Sequence, residues 1–498
     1  MTFLDGTVVN AALPVLQSRL GATVADAQWI VEAYALTLAS LLLVGGALGD
    51  RYGRRRIFSL GVALFAGASA VCGLAPGVRS LIGARAIQGV AAALLVPGSL
   101  AILRASFAGV ERGRAIGTWS SFSAIAAGVG PMLGGWLVES VSWRGIFFLN
   151  LPLAAAAVVI TRRYVPESKD DRATGPLDVK GAALAIVGLA GLVFGLVESG
   201  RRGWSDPAVV ASLVVGAAAL AGFVVVEARG PAPMMPLELF RSRAFAGANL
   251  LTLFLYAALG GVLFLLPYEL ILAQGYSAFL AGASLLPFVV SMAVFSRAAG
   301  ALAARVGARL PLTVGPAVAA VGFALFALPG ANAGSYWTTF FPAVLVLGIG
   351  MAVTVAPLTD AVMGAAGSRR AGLASGINNT VSRAAAVLAV AVLGAVVVQV
   401  SRARLDDRLA GLDLPAELRA EVRSRGAALA PVSVSATLDA KTADAVKEAY
   451  AASLVDGFRV AALLGAGLAA AASVTGWWAF SVPIAAPERR RRSRQGVY

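Results

Sequence analysis

Runs of about 20 consecutive apolar residues recur along this chain, and they restrict its fold more than any other feature. Val179–Val197, Val209–Val226 and Val460–Phe480 are examples. A helix of that length spans the ~30 Å hydrocarbon core of a bilayer. Backbone polar groups find no water there, so only helices and closed barrels can cross. A barrel would show alternating segments of about 10 residues instead. Charged residues make up only 13% of the chain, against about 25% in soluble domains. The chain therefore reads as an all-α polytopic membrane protein.

Fourteen helices are expected, near residues 1–20, 28–49, 57–75, 80–103, 115–138, 143–163, 178–198, 207–227, 245–270, 277–301, 308–330, 336–360, 372–400 and 454–481. Cationic residues set the orientation. One set of short loops holds Arg51, Arg54, Arg55, Arg56, Arg104, Arg112, Arg114, Arg162 and Arg163, among others. The opposite set holds Arg19, Arg79, Arg144, Arg201 and Arg202. That asymmetry predicts cytoplasmic termini, with residues 482–498 as a basic cytoplasmic tail. Segment 401–453 reads as a soluble extracytoplasmic loop. The net charge of +15 then faces anionic membrane lipid rather than nucleic acid. There is no cleavable signal pattern. Only four residues precede Asp5, and the expectation is a true start further upstream.

Several chemistries are excluded. There is no histidine and only one cysteine, Cys72. An internal disulfide is impossible, and a zinc site of the His/Cys type is not expected from a single cysteine. None of the four lysines belongs to a phosphate-binding glycine loop, so neither a cofactor nor ATP hydrolysis is expected. With no histidine, any proton carrier must be a carboxylate.

Asp5 interrupts the first apolar segment, FLDGTVVNAALP, and an ionisable residue there is a functional candidate. It is read as the proton carrier, the alternative being a place at the membrane interface. Glu32 and Glu269 are further candidates, each with the alternative of a rim position. Asp360, Glu198 and Glu227 read as solvated or loop residues. Arg85 lies inside an apolar segment and must find a carboxylate, backbone carbonyls or water, unless it reaches the outer surface. Gln88 shares its helix face. Arg383 poses the same question in the second half.

The segments GALGDRYGRR (46–55) and GALAARVGAR (300–309) share G-A-L-x-x-R-x-G-x-R. Two halves on one plan are a mark of secondary transporters, with the substrate near the midplane between them. In the first copy Gly46 and Gly53 permit close approach and a turn. Asp50, Arg51, Arg54 and Arg55 form a charge cluster that can act as a conformational latch. Ala304 replaces the aspartate in the second copy. The segment AAGVGPMLGGW groups Gly130, Gly134 and Gly135 around Pro131, a packing and hinge pattern.

Together these features resemble the major facilitator superfamily, in particular its fourteen-helix drug:proton antiporters. LDGTVVNAALP looks like that family's first-helix signature, with Asp5 at the acidic position. GALGDRYGRR resembles the loop motif between helices two and three. RAIQGVAAA is similar to the fourth-helix motif, which maps proton transfer to Arg85 and includes Gln88 and Gly89. GVGPMLGG resembles the fifth-helix motif of exporters. The resemblance implies a major facilitator fold: two six-helix bundles, 1–163 and 245–481, with two additional helices within 164–244. It implies a proton-coupled antiporter exporting small amphipathic organic compounds from bacteria, not an enzyme. Its partners would be substrate, protons and plasma-membrane lipid, and monomer is the default state. An importer of the same fold, or a membrane protein without transport, is the alternative. Trp29, Tyr34, Phe122, Phe254 and Tyr256 are guesses for the pocket wall.

Overall fold

The structure is a computed structural model that describes residues 1–107, 109–169, 178–230, 233–331, 334–412, 414–427 and 440–481. It is helical throughout, with no strand among the described residues. The first half holds α1 (Thr2–Leu20), α2 (Val24–Tyr52), α3 (Arg54–Leu74), α4 (Val78–Ser106), α5 (Gly109–Ser140), and a segment broken at Leu149 into α6 (Gly145–Phe148) and α7 (Asn150–Tyr164). Two further helices follow, α8 (Val179–Arg202) and α9 (Pro207–Arg229). The second half holds α10 (Arg243–Tyr268), α11 (Ala278–Ala283), α12 (Leu286–Val306), α13 (Arg309–Leu325), α14 (Phe340–Ala365), α15 (Gly367–Ala410), α16 (Ala416–Ala427) and α17 (Ala440–Ala479).

The helices fall at the fourteen expected places. Eleven spans are long and apolar enough to cross a membrane among the described residues. Of the remaining segments, α13 has only 17 residues, and α1 carries Asp5, Asn10, Gln17 and Arg19. Local chemistry sets the turns. Gly21 adopts a left-handed conformation (φ 60°) after α1, and Thr23 and Asp26 then cap α2 reciprocally. Asp206 caps α9 ahead of Pro207.

Helices α2 and α3 each pack along α4, enclosing Leu38, Leu42, Phe65, Ala92 and Val96. Helix α1 packs on α5. In the second half α10, α13 and α15 surround α17, and α12 packs on α14. The halves meet along two seams. On one, α5 contacts α11 and α12; on the other, α2 contacts α15. The α8–α9 hairpin attaches at the second seam, where Val193 and Val197 meet Leu36, Val387 and Ala391. Val210, Val214, Val215, Val224 and Val225 of α9 stay exposed, a surface that lipid tolerates and water does not.

Within segment 401–453 the described residues are largely helical. Helix α15 continues to Ala410, α16 follows, and α17 begins at Ala440. Leu405 and Leu409 are buried with Val422, Val446 and Tyr450. Arg423 pairs with Asp406 at 2.6 Å and Arg408 with Asp456 at 2.7 Å. The charges that suggest a solvated loop are the outer face of this small helical cap. Glu198 and Glu227 are likewise helical, not loop residues. Glu198 pairs with Arg202 at 3.0 Å, and Glu227 is buried and accepts from the Met235 amide at 2.9 Å. The basic tail at 482–498 lies outside the described residues.

Candidate functional site

Asp5 and Arg85 form the centre of the first half. Their side chains are 0% and 1% exposed, and Arg85 Nη1 meets Asp5 Oδ2 at 2.5 Å. Arg85 turns inward to Asp5 rather than reaching the outer surface. The charged pair brings its own hydrogen-bond shell. Arg85 Nη1 also donates to Gln88 Oε1 at 2.6 Å, and Arg85 Nε to the Ile30 carbonyl at 3.0 Å. Gln88 Nε2 donates to Asp5 Oδ1 at 3.0 Å and to Ser69 Oγ at 2.9 Å. Asn150 Nδ2 donates to Asp5 Oδ1 at 2.8 Å and to Ser69 Oγ at 2.9 Å. The Arg85 guanidinium stands 4.2 Å over the Tyr34 ring, a cation–π contact. Five helices, α1, α2, α3, α4 and α7, thus converge on one buried ion pair.

The energetics of this arrangement matter. A buried charge without partners costs several kcal/mol, and a pair recovers that only when its remaining polar atoms are bonded. Here both carboxylate oxygens of Asp5 have acceptor roles. The network also depends on close backbones. At Gly89 an added Cβ would strike Thr37 Oγ1 and the Tyr34 carbonyl, so α4 can lie this near α2 only because residue 89 has no side chain.

Glu32 is fully buried on α2, and both of its carboxylate oxygens lack a partner among the described residues. Glu269 is buried in a π-turn, Glu269–Ala273, that ends α10. Its Oε1 accepts from Gln274 at 2.9 Å, and its Oε2 is unpartnered among the described residues. The structure does not join either to the Asp5 network. Trp29 packs on Phe194 of α8. Asp360 is exposed, as expected.

The loop motif has a geometry of its own. Gly53 turns the chain with φ 111°, and Gly307 does so in the second copy with φ 82°. Asp50 pairs with Arg54 at 2.8 Å. Arg51 lies 5.5 Å from the centre of the Tyr52 ring. Arg55 Nη1 donates to the Val165 carbonyl at 3.1 Å. Glu167, which the motif does not contain, accepts from the Arg55 and Arg56 amides at 2.9 and 3.1 Å. A carboxylate thus caps the start of α3. The tight glycine on α2 is Gly45, not Gly46. A Cβ on Gly45 would collide with the Ala93 carbonyl, whereas one on Gly46 would sit 3.6 Å from Pro97.

The glycines of α5 build the seam. An added Cβ at Gly130 would strike Thr7, and one at Gly134 the Val8 carbonyl, both on α1. One at Gly135 would strike the Ala278 carbonyl of α11, where Gly282 in turn abuts Pro131. Glu139, at the end of α5, accepts from the Phe279 amide at 3.0 Å. The second seam is bonded by Gln28 Nε2 to the Val390 carbonyl at 3.3 Å. Gly134→Val should therefore force α1 off α5, and overpacking of this kind costs about 1–3 kcal/mol. Melting in detergent checks this. Gly67→Ala, where nothing lies within 4 Å, should melt at or slightly above wild type.

A helical bundle with two seamed halves and a buried ion pair beside one seam defines a multi-pass membrane protein of the transporter class. The sequence model of the Major Facilitator Superfamily matches residues 1–390. The chain belongs to that superfamily and is a membrane transporter rather than an enzyme. It is 35% identical over 410 residues to the multidrug resistance protein Stp of Mycobacterium tuberculosis, covering 82% of this chain and 76% of that protein. It is 33% identical over 464 residues to the tetracenomycin C resistance and export protein of Streptomyces glaucescens, covering 93% and 86%. Among solved structures, an auto-inhibited POT family peptide transporter superposes with a TM-score of 0.60 at 15% identity, covering 98% of each chain. At that identity the likeness concerns the fold alone.

Proposed function

We propose that the protein is a proton-coupled antiporter that exports small amphipathic organic compounds across the bacterial plasma membrane. The observation that carries this is the Asp5–Arg85 pair, a titratable carboxylate buried beside a seam between halves. The names of its relatives, which are drug-resistance and export proteins, supply the direction and the kind of cargo. In this reading residues 1–163 and 245–481 are two bundles that rock about the seams, and α8–α9 ride on one side. The arginine distribution supports cytoplasmic termini. The bonded contacts Glu139–Phe279 and Gln28–Val390 then join the halves at the outer end.

Protonation of Asp5 removes the charge that holds Arg85 to α1. Arg85 keeps Gln88, the Ile30 carbonyl and the Tyr34 ring, all on α4 and α2. Helix α1 is thereby loosened from α4 while it stays pressed to α5, the helix of the seam. Proton occupancy is thus linked to the contact between halves. Glu32 and Glu269 are the reserve proton sites, and the Asp50–Arg54 cluster with Glu167 is the latch. One charge moving through 100 mV supplies about 2.3 kcal/mol, roughly a 50-fold gradient.

The test uses inside-out vesicles with an acidified lumen, challenged with a panel of lipophilic cations, neutral antibiotics and lipophilic acids. At least one compound should collapse the pH gradient in vesicles carrying the protein but not in protein-free ones. Gradients that decay alike in both vesicle types would refute the reading.

A further inference from the structure

Arg383 comes near two tyrosine hydroxyls between α2, α10 and α15, with no carboxylate bonded to it among the described residues. Arg383 projects from α15, which packs against both other helices. Its Nε is buried and unpartnered among the described residues, while the side chain as a whole keeps some exposed surface. The guanidinium is therefore desolvated but reachable. The hydroxyls near it are those of Tyr34 and Tyr256, and no carboxylate pairs with it among the described residues. The Tyr34 hydroxyl is itself buried and without a partner among the described residues. Asp5 is already engaged by Arg85, Gln88 and Asn150. A turn and a half before Arg383, Asn378 donates to Asn249 and Thr252 of α10 at 3.2 and 2.7 Å, which fixes the register of α15 at this level.

A buried guanidinium normally has a counter-charge in the protein, because leaving it alone is costly. A guanidinium with no counter-charge, flanked by two hydroxyls that can each donate, is complementary to an acceptor-rich anion. A lipophilic cation would be repelled, and an apolar drug would leave the donors unsatisfied. A carboxylate or comparable acidic oxygen satisfies both charge and hydrogen bonds, and guanidinium is the side chain best shaped to take one.

We propose that Arg383, with the hydroxyls of Tyr34 and Tyr256, is an anion subsite of the transport pathway, and that the exported compound carries a carboxylate or similar acidic group bound there. This rests on the exporter reading and narrows its substrate class to organic acids. The subsite is also one side chain away from the proton site, because the Tyr34 ring lies under Arg85. Substrate charge and Asp5 charge would then be sensed across a single tyrosine.

The test compares two fluorescent probes with the same apolar body, 1-pyrenebutyrate and 1-pyrenebutanol, on the full protein in lipid nanodiscs, with empty nanodiscs subtracted. Wild type should bind the carboxylate roughly tenfold more tightly than the alcohol, as expected for one charge-assisted contact. Arg383→Gln should abolish that preference and leave alcohol binding unchanged. Arg383→Lys should keep part of it. Equal binding by wild type, no binding of either probe, or a preference that survives in Arg383→Gln would overturn the proposal. The exporter reading fails separately. If no compound collapses the vesicle gradient while the carboxylate preference is present, the subsite stands and the transport reading falls.

Discussion

Asp5→Asn should yield a folded, inserted protein in which substrate no longer collapses a pH gradient, while substrate-for-substrate exchange across the vesicle membrane persists. Asparagine keeps the size of aspartate and an oxygen for Gln88 and Asn150, which both donate to Asp5 Oδ1. It lacks the negative charge and cannot take a proton. It therefore copies the protonated state that the cycle must visit, so the fold has to tolerate it. Proton-driven flux should drop to the background of protein-free vesicles. Exchange needs only the rocking of the loaded carrier and should stay within severalfold of wild type. Paired radiolabel exchange and luminal-pH measurements on the same vesicles check this. Loss of both activities in a well-folded variant would make Asp5 structural. Retention of both would move the proton to Glu32 or Glu269.

Arg85→Ala should be far more damaging to stability. It strands the Asp5 carboxylate in a dry core and removes the guanidinium from the Tyr34 ring, the Ile30 carbonyl and Gln88. Removing one partner of a buried pair costs about 3–5 kcal/mol, and truncating so large a side chain adds a cavity. The double variant Asp5→Asn/Arg85→Ala should recover part of that loss, because no uncompensated charge is left. Thermal melting of the four proteins in detergent forms the cycle. An Arg85→Ala protein that melts with wild type, or a double variant no better than the single, would show that the pair does not act as a unit.

Much of this site was legible in the sequence because membranes make charge rare. Asp5, Glu32, Arg85 and Arg383 stand out in apolar segments, and the cost of burying them predicts that each has a task. What sequence could not show is which partners the fold would choose. Asn150 and Ser69 complete the shell of Asp5 and Gln88 from positions 145 and 81 residues apart from Asp5 and each other, and uncharged polar residues carry no comparable warning. The asparagine in FFLNLP was the one available signal. Glu167 and Glu139 cap helices distant in the chain, so no local pattern marks them. The close packing at Gly45 rather than Gly46 depends on helix rotation, which small residues at adjacent positions leave open. How the helices of segment 401–453 pack was not legible, because their buried stripe of Leu405, Leu409 and Val422 is sparse among charges that face water.

The central claim is that Asp5 itself binds and releases the coupled proton. Infrared difference spectroscopy on the protein in lipid, stepped in pH, reports the carbonyl stretch of a protonated carboxylic acid. The account predicts a band that grows on acidification in wild type and is missing from the Asp5→Asn spectrum, with the Glu32 and Glu269 contributions common to both. Superimposable difference spectra from the two proteins would contradict it.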